Sequence, residues 1–205
     1  MKNSKIIFSL TVFLFSVFVA GAQKGENKLN ISYSPALPTG SFKNTVSSNS
    51  FRGFNAGFLH GISDNLSVGL ATAFQDFYQK YPRQLYKLSD GSDLSAVLTY
   101  SIQTMPVLAE LKYNFTPDGT VQPYAAIGAG ANFISYEQLF GEFGNKLGKI
   151  GFAARPEAGL QIPLGKNGAG FTIGASYNIM PFKQDDLKNL NSIGLHAGLS
   201  IPMRR

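Results

Sequence analysis

The sequence predicts an all-β fold: a closed antiparallel eight-stranded transmembrane β-barrel, preceded by a cleaved signal peptide. Three features lead there. The first 22 residues are laid out as a secretory leader, the rest alternates apolar with small polar residues at period two, and the links between alternating segments are short and long by turns.

In the leader, Lys2 and Lys5 precede the apolar run Ile6 to Ala20, and Ala20-Gly21-Ala22 supplies the small residues of a cleavage site. Polar residues Gln23 to Asn27 follow, with no cysteine there to accept a lipid. Residues 23–205 are then read as one domain, since no Pro/Ser-rich linker or charge block divides them. The whole chain has 18 Lys and Arg against 12 Asp and Glu; losing the two leader lysines leaves 16 against 12, a net charge of +4. These charges are scattered, which argues against nucleic acid as a partner. An exported chain without cysteine also excludes a disulfide scaffold. After the leader, no stretch approaches the roughly 18 consecutive apolar residues of a membrane helix. A membrane crossing must therefore use strands.

Eight segments supply them, the first two around Leu29 to Pro35 and Phe51 to Gly61. In the third, Leu66, Val68, Leu70, Thr72 and Phe74 oppose Ser67, Gly69, Ala71, Ala73 and Gln75. In the fourth, Met105, Val107, Ala109, Leu111, Tyr113 and Phe115 oppose a polar face that Pro106 and Leu108 interrupt. The fifth, Gln122 to Tyr136, is rich in Ala and Gly, and Gly128 and Gly130 are assigned inward. The sixth opposes Phe152 to Ile162 against Gly151, Ala153, Arg155, Glu157, Gly159 and Gln161; the seventh covers Phe171 to Ile179, and the eighth Ser192 to Met203. Short links at 63–65, 116–120 and 165–168 are rich in turn residues. Long links at 36–50, 78–94, 137–149 and 181–191 then all fall at one end, as expected with both termini periplasmic.

Alternation alone does not say which face is outside, because a secreted lipocalin-type barrel also alternates. Composition decides it. The polar faces are mostly Gly, Ala, Ser, Thr and Asn, suited to the confined interior of an eight-stranded barrel, so the aliphatic and aromatic face is set against lipid. Closure then requires the last strand to pair with the first. The octet His196 to Met203 resembles the barrel-assembly signal of outer-membrane proteins through His196, Gly198, Ile201 and Met203. Met203 stands where an aromatic is usual, and Arg204-Arg205 extend beyond it.

Ser32 to Phe42, Ser63 to Leu70, Pro123 to Gly130 and Glu157 to Leu160 together resemble the porin-like outer-membrane β-barrel family of Gram-negative bacteria, whose small members include OmpX and the barrel of OmpA. That resemblance implies a fold and a location in the outer membrane, and leaves the activity open.

Candidate sites fall into two groups. Glu110 and Lys112 share the predicted lumen face with Arg155 and Glu157, so that Glu110 can meet Arg155, or Lys112 meet Glu157, across the glycines between them; His196 faces the same lumen. Tyr78, Lys80, Tyr81, Arg83, Tyr86 and Lys87 form a basic, aromatic loop suited to lipopolysaccharide or a glycan, while Phe77, Tyr78, Tyr81, Tyr100, Tyr113, Phe115, Tyr124 and Tyr136 are expected to form interfacial girdles. His60 and His196 have neither a second His nor a Cys nearby to suggest a metal, and no nucleophile motif accompanies them. No cofactor and no catalysis are expected. The leading expectation is a non-enzymatic integral outer-membrane protein with a structural or interaction role through its long loops; the alternative is a narrow porin-like channel or carrier for small or hydrophobic solutes. Partners are then outer-membrane lipids and lipopolysaccharide, the barrel-assembly machinery during insertion, and another outer-membrane complex.

Overall fold

A computed structural model describes residues 25–87, 93–141, 143–165, 168–184 and 187–203. The expected leader and the Arg204-Arg205 extension lie outside the described residues. The elements in chain order are β1 (Asn27–Tyr33), β2 (Ala36–Pro38), α1 (Ser41–Thr45), β3 (Gly53–Gly61), β4 (Leu66–Lys80), β5 (Gln84–Lys87), β6 (Asp93–Ala96), β7 (Leu98–Asn114), β8 (Gln122–Phe140), β9 (Phe143–Pro163), β10 (Gly170–Asn178), β11 (Pro181–Gln184), β12 (Leu187–Asn189) and β13 (Ser192–Met203). No helix among the described residues is long and apolar enough to cross a membrane.

The main sheet runs β1-β3-β4-β7-β8-β9-β10-β13 and closes by pairing β13 with β1. Every pairing is antiparallel, and β2 continues the line of β1 along β13. The break between β1 and β2 falls at Ser34-Pro35, where proline has no N–H to give the ladder; register with β13 is unchanged across it. This is the predicted ring of eight wall strands. Followed once around the pairings from Lys28, the register returns to the first wall strand at Pro38, a stagger of ten residues. Eight strands with that stagger tilt by about 40° to the barrel axis.

Outward apolar residues form a continuous band. On β7 they run Tyr113, Leu111, Ala109, Val107 and Met105 before Gln103; on β8 they run from Pro123 to Phe133 before Ser135. Nine to eleven tilted residues span about 25 Å, the height of a membrane barrel's lipid-facing band. Large exposed hydrophobics such as Leu70, Ile127, Ile173 and Leu199 lie within it.

All four long links differ from expectation, because strand pairing carries well past the lipid-facing band; residues 36–50 open with β2 on β13 and hold α1. Residues 137–149 are largely strand: β8 and β9 pair as far as Phe140 and Phe143. Residues 78–94 begin with the end of β4 and include β5, which pairs with β6. Residues 181–191 hold the β11–β12 hairpin, which folds into the barrel mouth instead of standing free. There Met180, Phe182, Leu187 and Leu190 pack with Phe42 and Val46 of the first long link and with Phe77, Ile102, Ile134 and Tyr136 of the wall. Two bonds join these links: Thr39 N–H to Asn191 O, 2.9 Å, and Asn189 Nδ2 to Ser41 Oγ, 3.0 Å. The end opposite the termini is thus filled by an apolar cap.

Candidate functional site

Below the cap, register assembles a polar cluster. Glu110, Gly128 and Arg155 lie in one row on β7, β8 and β9, with Lys112, Ala126 and Glu157 in the next row on the same face. Charged residues two strands apart ordinarily stand too far apart to bond, but Gly128 and Ala126 leave the middle of each row low. Arg155 reaches over Gly128 to Glu110, Nη2 to Oε2 3.2 Å, and its Nε lies 3.7 Å from Glu157 Oε2. Gly128 keeps that passage open, since a Cβ there already meets Leu108 at 3.1 Å.

Lys112 does not pair with Glu157. Its Nζ donates to Gln161 Oε1 at 3.0 Å and sits 3.9 Å above the Tyr124 ring. Glu157 instead accepts from the Tyr124 hydroxyl at 3.0 Å and lies 3.4 Å from His196 Nε2, which is 2.8 Å from the same hydroxyl. His196 comes from β13, so the closing strand is tied across the lumen to β8 and β9. Two acidic side chains, Glu110 and Glu157, face two basic ones, Arg155 and Lys112. Arg155, Lys112, His196 and Tyr124 are all about 5 % exposed or less, so the pairing offsets a desolvation cost of several kcal/mol per ion.

The opposite wall is small and neutral. Asn30, Ser32, Asn55 and Gly57 line a cavity of about 40 Å³ beside the cluster, space for only a few water-sized molecules. At the end carrying the termini, a polar recess of about 450 Å³ is lined by Glu26, Lys28, Asp64, Asn114, Asp118 and Gln122. The lumen therefore opens at one end and narrows to the cluster, with the cap beyond it. Chemically the arrangement is a buried, charge-paired cluster: His196 is held between a phenol and a carboxylate, and no group of acids and histidines among the described residues could hold a metal.

Neither Tyr124 nor Gln161 was assigned to this cluster from the sequence. Tyr124 was expected in a girdle, but its even number on β8 places it with Gly128 on the lumen face, and it is buried; Phe77 and Tyr136 likewise point inward, into the cap. Tyr78, Tyr113 and Phe115 do face outward. The signal for Tyr124 was its parity with the inward glycines.

The loop residues whose side chains are described, Tyr78, Lys80, Tyr81 and Arg83, are not brought together. Tyr78 faces outward under Arg52, 5.8 Å from ring centroid to guanidinium, and Arg52 pairs with Asp76 at 2.8 Å. Lys80 and Arg83 are exposed, but Tyr81 turns the other way, its hydroxyl donating to Thr45 O at 2.9 Å and its ring meeting Tyr100. Tyr86 and Lys87 lie on β5, and their side chains are outside the described set. Of the terminal octet, His196 enters the lumen cluster, Ile201 and Met203 face outward, and Gly198 sits at the β1–β13 seam, where a Cβ would run into the Ile31 carbonyl and Ser32.

A family model described as an outer membrane protein beta-barrel domain matches residues 8–200. No curated protein gives a significant match. Among solved structures, Neisserial surface protein A is similar at 15 % identity over 87 % of this chain and 97 % of that one, with a TM-score of 0.55. Ail, the attachment invasion locus protein of Yersinia pestis, solved with the heparin analogue sucrose octasulfate, is 20 % identical over 86 % and 97 %, TM-score 0.45. Outer membrane protein W of E. coli is 16 % identical over 89 % and 100 %, TM-score 0.47. The likeness to Neisserial surface protein A shows a shared fold.

Proposed function

The chain belongs to the outer membrane protein beta-barrel domain family, and from that premise we propose that it is a non-enzymatic integral barrel that works through its outer rim as a contact element, with a lumen closed to solutes. The observation that carries this is the double closure: the buried Glu110–Arg155–Glu157–His196 network blocks the lumen at one level and the apolar cap at another.

The rim, by contrast, is built out. β4, β7, β8 and β9 continue past the ends of β3 and β10, and Phe143 at the tip of the β8–β9 hairpin is 81 % exposed. Ala154 exchanges both backbone hydrogen bonds with Ile179, which fixes the alternation along β9. Gly144, Lys146, Gly148, Ile150 and Phe152 therefore turn their N–H and C=O groups away from β8, and no ladder partner meets them among the described residues. Such an edge takes an extended segment of another chain as an added strand. Lipopolysaccharide and a neighbouring envelope complex are the partners this rim would meet first.

Planar-bilayer recordings on the refolded protein test the closed lumen, and no conductance steps are expected; reproducible, solute-dependent flux would restore the channel alternative. For the contact role, peptides selected from a random library on nanodisc-held protein are expected to bind at least tenfold more weakly to Gly148→Pro, which removes one edge N–H. Selection that yields no peptide sensitive to that change would defeat it.

A further inference from the structure

We propose that the lipid-facing wall of β3, β4, β7 and β8 carries a built seat for one phospholipid of the periplasmic leaflet, its acyl chain in an apolar groove and its phosphate at His60 and Asn27. Two adjacent outward rows make the groove: His60, Val68, Leu111 and Ile127 in one, Phe58, Leu70, Ala109 and Ala129 in the other. Ala109 and Ala129 lie low beside Leu70 and Ile127, which are 63 % and 57 % exposed, and the groove encloses about 780 Å³ with an almost wholly apolar lining.

Depth chooses the occupant. With the tilt set by the ten-residue stagger, the groove climbs about 15 Å from His60, at the termini-bearing rim, to Ala129. That is half of a hydrocarbon layer roughly 30 Å thick, the reach of one chain in one leaflet. A polar end sits where a headgroup would be: His60 Nδ1 and Asn27 Oδ1 are 2.8 Å apart, so His60 orients the Asn27 amide and leaves its N–H groups as donors to a phosphate oxygen.

The full exported chain, refolded in nanodiscs of phosphatidylethanolamine and phosphatidylglycerol and released into mild detergent, is expected to retain one phospholipid by native mass spectrometry. Ala109→Leu with Ala129→Leu fills the groove from the lipid side and should cut retention at least fivefold, while Ala158→Leu and Ala175→Leu, exposed on β9 and β10 away from the groove, should not. His60→Ala should lower retention with the groove intact. Absence of retained lipid in the unsubstituted protein, or equal loss in the β9 and β10 control, overturns the proposal. So does cross-linking of Ala109→Cys to a second copy in the bilayer, which would make the groove a protein interface.

Discussion

Arg155 meets two carboxylates in a space that admits little water, and its removal would leave Glu110 and Glu157 facing each other unscreened. Breaking a buried pair from one side costs about 3–5 kcal/mol, most of it the stranded charge. Arg155→Ala is therefore expected to lower the urea midpoint strongly, and Glu110→Gln added to it should recover at least about 1 kcal/mol relative to additivity. Strictly additive unfolding energies from a full double-mutant cycle would rule the pairing out. The Glu110 and Arg155 contact was legible in the sequence, because both lie on small-residue faces separated by one glycine-bearing strand. The partner of Lys112 was not: Gln161 and Tyr124 become its neighbours only through the register of β8 and β9, and a neutral amide or a phenol carries no charge pattern to find it by.

At the scale of elements, the strands themselves were plain wherever one face met lipid and the other a narrow lumen. Pro106 and Leu108 looked like faults in the alternation of β7, yet both are buried in the lumen near the boundary between polar cluster and cap, where the interior turns apolar. Strand ends were hidden for a related reason: above the lipid no hydrophobic face is demanded, so β8 and β9 continue through Gly144, Asn145 and Lys146 without an alternating signature. Glycine positions separate seam from rim. Gly198→Ala should markedly reduce the folded fraction, read as the heat-modifiable band on electrophoresis, since its Cβ would press on the β1 backbone. Gly148→Ala has open space around it and should fold as the parent does; equal loss in both would mean that the seam is not the sensitive step.

For the molecule as a whole, two closures stand in series and differ in chemistry. The cap depends on burial, with Phe42 and Leu190 fully enclosed; Phe42→Ala should cost about 3–5 kcal/mol of stability. Because the ion cluster remains beneath it, that substitution should not by itself produce conductance. Current through Phe42→Ala in planar bilayers would show that the cap alone closes the barrel. The rim sheet and the groove on the lipid face lie outside both closures, so substitutions there should leave the lumen unchanged.

The sequence by itself determined the eight-stranded barrel and the face that meets lipid, because the bilayer imposes a two-residue period and a strand length that composition must obey at each position. Only the tertiary structure decided the inward cap, the Lys112 and His196 contacts, and the edge of β9 that meets no ladder partner among the described residues. Each depends on which residues of distant strands share a row or a mouth, and that is set by register and stagger, which the alternation of one strand does not encode.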